Sequence, residues 1–361
     1  MPKLAVIFLV PALGLCQRTQ LAPVSLDPHE LVTGGAQSIT TLEQREPLLA
    51  LAARAVNRSA MHAKGSPPHV LEMTFNATAS TLFAGGTGQL RETWISGESW
   101  RLDASLGPYS LVRINSGGTA YDEQRPAPVP MRLKMLYNAV FAPIQGARLR
   151  GGKERLRSAS VTWNGVPLSC ILLSPGMTAS PRSSARDWLE MEYCIDPATG
   201  LLNIYSEAPG IYVSYDYNDA LQFHRKALPR KISIVENGVI VLEAQLTGII
   251  DPPASNPDLT LEPTAKMIAQ GPALRLMLPV RPWAYVNSTD VSAGSTIQPV
   301  IVHAIVDEKG AVQESEVLQT SALSAKALAY ASNHLFDPLP PDGGPPRQRE
   351  VFLEVQFRPK M

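Results

Sequence analysis

Val70-Leu71-Glu72-Met73-Thr74-Phe75-Asn76-Ala77-Thr78 is the stretch on which the fold class turns. Successive side chains of an extended strand point to opposite faces, so Leu71, Met73, Phe75 and Ala77 share one face and Glu72, Thr74, Asn76 and Thr78 the other. A helix, at about 3.6 residues per turn, would scatter the same residues around its circumference. The stretch therefore predicts a half-buried strand with an apolar inner face.

The pattern recurs outward from there. Leu90, Glu92 and Trp94 oppose Arg91, Thr93 and Ile95, and Trp100, Leu102, Ala104 and Leu106 oppose Arg101, Asp103 and Ser105. Further strands are predicted at 109–115, 119–123, 155–163, 166–173, 188–195, 201–207, 211–217 and 230–250, the last folded back at Asn237-Gly238, a strong hairpin signal. Two helices interrupt this series. One runs from about 42 to 64 behind a cap at Thr40-Thr41-Leu42-Glu43, and the other over 131–142 carries Leu133, Leu136, Tyr137, Val140 and Phe141.

From Asp251 to Pro299 the alternation fades and prolines accumulate, which reads as a connector with a short helix near 264–269. Order returns as a strand at 300–306, a turn at Asp307-Glu308-Lys309-Gly310, a strand at 312–318, a helix capped by Ser321 or Ser324, and a last strand at 350–357. The expected fold is α+β: a large, mostly antiparallel half-barrel sheet with packed helices, followed by a small ββαβ domain. The expected divisions are a signal peptide at 1–16, a β-rich domain at 42–251, a connector at 252–297 and the small domain at 298–359.

Composition narrows the function classes. Among 361 residues, 45% are hydrophobic and 18% charged, which excludes disorder as the main state. Lysine plus arginine (32) balances aspartate plus glutamate (32), and no basic stripe stands out, so nucleic-acid binding is excluded. Met1-Pro2-Lys3 followed by an apolar run over 4–15 fits a secretory signal and falls short of the roughly 20 residues of a spanning helix. Leu13-Gly14-Leu15-Cys16 is similar to a bacterial lipobox, from which Leu15 departs; that likeness implies lipidation at Cys16 and anchoring through the N-terminus, the alternative being a cysteine lost with the signal or left near the mature end. Beyond it only Cys170 and Cys194 remain, an even pair on neighbouring predicted strands, which suits a disulfide in an exported protein.

Catalytic signatures are sparse. Ala84-Gly85-Gly86-Thr87-Gly88 lacks the lysine of a phosphate-binding loop and reads as a hairpin turn, and neither a Gly-x-Ser-x-Gly elbow nor a His-Glu-x-x-His motif occurs. The six histidines, His29, His62, His69, His224, His303 and His334, are scattered and read as packing or surface residues. Glu190, Glu192 and Asp196 share a strand face and read as solvated carboxylates. No enzyme activity, metal site or cofactor is expected.

Two resemblances add to this reading. Residues 300–312, Val317-Leu318-Gln319-Thr320-Ser321, the alanine-rich helix, Phe336-Asp337-Pro338 and residues 351–357 resemble the C-terminal domain of TonB, although Ile297-Gln298-Pro299 stands where that family has Tyr-Pro. The resemblance implies an outer-membrane or periplasmic protein partner bound by strand addition, with Val351, Leu353, Val355 and Phe357 on an edge strand, and a link to transmembrane transport. The leading helix, the Leu71–Ala77 alternation, Gly88-Gln89-Leu90-Arg91-Glu92-Thr93-Trp94 and Trp100-Arg101-Leu102 resemble the LolA-like lipoprotein-carrier fold. That likeness implies a periplasmic carrier whose inner face, with Leu71, Met73, Phe75, Trp100 and Leu102, takes a lipid or acyl chain; the opposing expectation is that these side chains pack on the two helices.

Overall fold

The alternating stretches do form strands, and in the computed structural model of the chain most of them join one sheet. The structure describes residues 36–360 except 64, 81, 83–84, 124–128, 145–153, 175–185, 187, 254–260, 273–282, 293–297, 319 and 339–347. The expected signal segment and Cys16 lie outside the described residues.

In chain order the elements begin with β1 (Gln37–Ile39), α1 (Leu42–Ser59), β2 (His69–Ala77), β3 (Gly86–Ser96), β4 (Ser99–Leu106), β5 (Tyr109–Ser116), β6 (Thr119–Glu123) and α2 (Met131–Phe141). They continue with β7 (Arg155–Trp163), β8 (Val166–Ser174), β9 (Met191–Ile195), β10 (Leu202–Ala208), β11 (Ile211–Asp216), β12 (Leu221–Phe223), β13 (Lys226–Leu228), β14 (Lys231–Glu236) and β15 (Val239–Ile250). The last are β16 (Met267–Pro272), β17 (Trp283–Ser288), β18 (Gln298–Val306), β19 (Val312–Val317), α3 (Ser324–Ser332) and β20 (Arg349–Pro359).

Fourteen strands form a sheet in the order β1-β7-β8-β9-β10-β11-β14-β15-β2-β3-β4-β5-β6-β16. Its end strands do not pair with each other, so it is an open half-barrel. Most neighbours in each wing are consecutive strands, while β1 and β16 are added at the ends from distant parts of the chain. The wings meet where β2 runs antiparallel to β15, with Met73 opposite Leu246 and Phe75 opposite Ala244. At the β14–β15 turn Asn237 and Gly238 both take positive φ (51° and 79°), the conformation that a tight hairpin turn demands of its central residues. Gly88 is needed for another reason: a Cβ there would stand 2.3 Å from the Phe75 ring, so its absence lets that ring lie flat on β3.

The inner face is the core. Leu71, Met73, Phe75 and Leu102 are at most 2% exposed and pack in one cluster with residues of α1 and α2. Removing each such side chain from water stabilises the fold by about 1.5–3 kcal/mol. Helix α1 starts where Thr41 accepts the amide hydrogen of Gln44 through its hydroxyl, and it ends at Ser59, earlier than the periodicity suggests. Ten of the 11 residues of α2 are buried, so it lies inside the half-barrel as a plug.

The segment expected to be a connector belongs to both sheets. Residues 267–272, expected near a short helix, are strand β16, which pairs with β6. β17 joins a four-stranded sheet in the order β17-β20-β18-β19. The expected strand–strand–helix–strand order is present there, with α3 on one face of the sheet. The expected edge is not. β20 has β17 parallel on one side and β18 antiparallel on the other, so its main-chain groups already have partners. Val351, Leu353, Val355 and Phe357 are each 0% exposed and pack in the cluster that holds Ala327 and Ala331 of α3. They form the core of the small unit and are not a docking edge.

Candidate functional site

The chemistry of this chain gathers around α2, which lies between the large sheet and the four-stranded sheet. Its first turn is fixed by Arg132, whose Nε and Nη2 donate to the Glu236 carboxylate at 3.1 and 2.8 Å; both side chains are buried. Lys134 reaches the other way, 3.7 Å from Glu350 on β20. Burial lowers the Lys134 ammonium, and the nearby Glu350 only partly restores it. Farther along, Tyr215 donates to the carbonyl of Ala139 at 3.0 Å and Tyr137 donates to Glu92 at 3.2 Å.

Between α2 and the sheet, the apolar candidates come together as one surface. Leu71, Met73, Phe75, Trp100 and Leu102 are all in the same cluster, at most 4% exposed, and α2 covers them. In the structure this face is closed against the helices. The core cluster is rich in methionine: Met73 of β2 and Met131 and Met135 of α2, with Met61 and Met191 elsewhere in it, are each 5% exposed or less. Unbranched thioether side chains adapt to irregular contacts better than branched ones do.

At the end of α2 is a group that the sequence did not disclose. His62 follows α1, His69 opens β2 and Glu92 lies on the inner face of β3. His62 Nε2 stands 2.9 Å from Glu92 Oε2, and His69 Nε2 stands 3.3 Å from the same oxygen. His62 is clasped between Trp94, at 3.9 Å between ring centroids, and Phe141, at 4.7 Å. Its amide also donates to the Phe141 carbonyl at 2.9 Å. Burial works to raise the Glu92 carboxyl, but the charge and hydrogen bonds of His62, joined by those of His69, hold it below the ordinary carboxylate value. The two histidines are 69 − 62 = 7 positions apart across a Pro67-Pro68 corner, and Glu92 comes from another strand. The one available signal was Glu92 itself, a carboxylate on the apolar side of an alternating strand.

The junction between the two sheets holds a second titratable group. His303 on β18 is buried, with Nδ1 3.3 Å from Glu316 on β19 and Nε2 3.5 Å from Glu350. Burial lowers its ring, yet hydrogen bonds to Glu316 and Glu350 overcome this and raise it above the ordinary 6.5. Ser80 donates to Glu316 across the junction at 2.6 Å, while Ile301 and Phe352 enter the main apolar cluster.

The carboxylates expected to be solvated are not. Glu190 and Glu192 are each 0% exposed. Glu190 accepts from Arg157 at 2.9 Å, and Glu192 lies 3.1 Å from Arg186, itself 1% exposed. Arginines outside their strand, Arg157 and the nearby Arg186, pair with them, which strand alternation cannot reveal. Asp196 closes the β9–β10 turn by accepting from Ala198 and Thr199. Cys170 and Cys194, directly opposite on β8 and β9, form the expected disulfide. His224 is exposed beside Asp251, and His334 packs on Phe336.

A cavity of about 590 Å³ lies over β2–β5, with Glu72, Arg91, Arg101 and Asp103 in its lining. Arg91 pairs with Glu72 at 3.3 Å and Arg101 with Asp103 at 2.7 Å, so its charges are balanced internally. No helix of the described residues is long and apolar enough to cross a membrane.

No protein-family profile and no curated protein matches the sequence. Solved structures similar to the chain include an outer membrane lipoprotein-sorting protein domain from Vibrio parahaemolyticus, at 9% identity over 59% of this chain and 96% of that chain, with a TM-score of 0.36. A LolA superfamily protein from Nitrosomonas europaea is similar at 9% identity over 58% and 94%, TM-score 0.35. A DUF1329 family protein from Desulfovibrio piger is similar at 8% identity over 60% and 96%, TM-score 0.36. Likeness this distant carries no function to the chain. None of these three is a TonB C-terminal domain.

Proposed function

We propose that this chain is an exported, non-enzymatic binding protein of the bacterial cell envelope, a periplasmic carrier that takes a lipid or acyl chain between the inner face of β2–β5 and α2. The observation that carries the reading is the methionine-rich apolar seam between an open sheet and a single 11-residue helix. Outward displacement of α2, at the expense of its Arg132–Glu236 and Tyr137–Glu92 contacts, would expose a seam that is apolar except at the Glu92 end. The Cys170–Cys194 disulfide supports export, since such bonds persist in oxidising compartments. Strand addition at Val351, Leu353, Val355 and Phe357, and with it TonB-type energy transduction, has no support in the geometry, because that strand is interior.

The test is native mass spectrometry of gently extracted protein, followed by titration of the delipidated protein with a dansyl fatty acid. Bound lipid and saturable fluorescence are expected, with uptake reduced at least about tenfold in Met135→Trp, which fills the seam. Empty protein with no saturable binding overturns the reading.

A further inference from the structure

The geometry points to a metal site: we propose that His62, His69 and Glu92 bind one divalent transition-metal ion, zinc being the best match to the donors. Each residue offers one ligand atom, and these atoms lie within 4.8 Å of one another. Zinc bonds to imidazole nitrogen and carboxylate oxygen are about 2.0–2.2 Å, so neighbouring ligand atoms of a tetrahedral site stand about 3.3 Å apart. His69 Nε2 to Glu92 Oε2 is 3.3 Å, and His62 Nε2 to the same oxygen is 2.9 Å. Outward relaxation of a few tenths of an ångström at His62 therefore opens a coordination tetrahedron.

The surroundings orient the ligands as metal sites require. His69 Nδ1 lies 3.0 Å from the Pro67 carbonyl, and a carbonyl can only accept, so Nδ1 carries the hydrogen. Nε2 is therefore the nitrogen presented to the Glu92 carboxylate, and a metal ion would take the place of a proton shared between them. Tyr137 donates to the other Glu92 oxygen at 3.2 Å. The His62 ring cannot swing away, held as it is between Trp94 and Phe141. Two nitrogens and one carboxylate suit zinc, cobalt or nickel, while calcium and magnesium prefer all-oxygen sets. His62 is 11% exposed, which gives an ion its way in, and three protein ligands leave a fourth position for water or a ligand atom.

The test uses tag-free, chelator-stripped full-length protein titrated with Co²⁺ and Zn²⁺. Visible absorption of tetrahedral intensity at one Co²⁺ per chain, displaced by Zn²⁺, is expected. Glu92→Gln should lose the absorption. Tyr137→Phe, which keeps all three ligands, should retain the spectrum and weaken binding about 10–100-fold. His334→Ala, at a histidine that packs on Phe336 beside the four-stranded sheet, should bind as the unaltered chain does. Absence of the spectrum in folded protein, or equal uptake by Glu92→Gln, overturns the proposal and leaves a proton-linked knot of side chains; the lipid titration is unaffected by either result.

Discussion

Arg132 and Glu236 are 104 positions apart in the chain and form a two-pronged ion pair inside the protein, joining the first turn of the plug helix to the end of β14. The pair sets the register of α2 against the sheet. Removing one partner leaves a buried charge without its counterion. Arg132→Met should therefore cost about 3–5 kcal/mol of unfolding free energy, and the double change Arg132→Met with Glu236→Leu markedly less. Urea denaturation of the single and double variants checks this; equal losses in both would show that the pair contributes only packing.

The His303 junction makes stability depend on pH in a definite direction. The folded ring has a raised value, so its contribution is complete below the ordinary 6.5 and fades as pH rises through the raised folded value. Burial raises Glu316, but His303 and Ser80 pull it below the ordinary 4.5, so its share is present above that value and is lost on acidification. Between those limits the junction is strongest. Lys134 also faces Glu350, so the comparison is with His303→Gln, in which Lys134 still titrates. Melting curves across pH 5 to 9 should converge at the alkaline end and separate toward pH 6.

Breaking the disulfide should weaken the large sheet. The two cysteines enclose 24 positions of chain, for which loop closure gives about 3 kcal/mol. Cys170→Ala with Cys194→Ala, or denaturation under reductant, should lower the unfolding free energy by that amount, and the denaturant slope should rise as the unfolded chain expands. A variant as stable as the oxidised chain would show that β8 and β9 are held by packing alone.

The pairing of β17 with β20 can be tested by Val286→Pro. Proline removes a donor from the ladder and fixes φ, so β17 should detach and leave one side of β20 unpaired. Arg358, which donates to Asn287 at 3.0 Å and lies 4.6 Å over the Tyr285 ring, would lose both partners. Self-association measured by light scattering should rise, since an unpaired strand edge is a template for another chain. A monomer with native protection of the β20 amides in hydrogen exchange would contradict this.

Much of the architecture was legible in the alternation of single residues. Leu71, Met73 and Phe75 mark the inner face, Asn237-Gly238 marks its hairpin, and the strand–strand–helix–strand order of residues 298–359 follows from where the periodicity changes. What stayed hidden is non-local. Nothing in the spacing of Trp283–Ser288 says that it lies parallel to β20, and that pairing alone removes the expected edge. The His62, His69 and Glu92 cluster draws on a corner and a strand, with Tyr137 of a distant helix behind it, so no linear motif records it. Glu190 and Glu192 looked solvated because their arginines, Arg157 and Arg186, come from outside their strand.

The seam between β2 and β15 has a consequence for how the chain reaches its folded state. Strands β2 to β6 and β7 to β14 can zip up from neighbours in sequence, but the pairing of Phe75 with Ala244 closes a loop of some 170 residues. Contacts of such separation are slow to form and leave two unfinished sheet edges exposed until they do. The joint can close only after Ile250 has emerged. Until residue 250 of the 361 is available the two wings can form only separately, so the large sheet is completed late, after more than two-thirds of the chain.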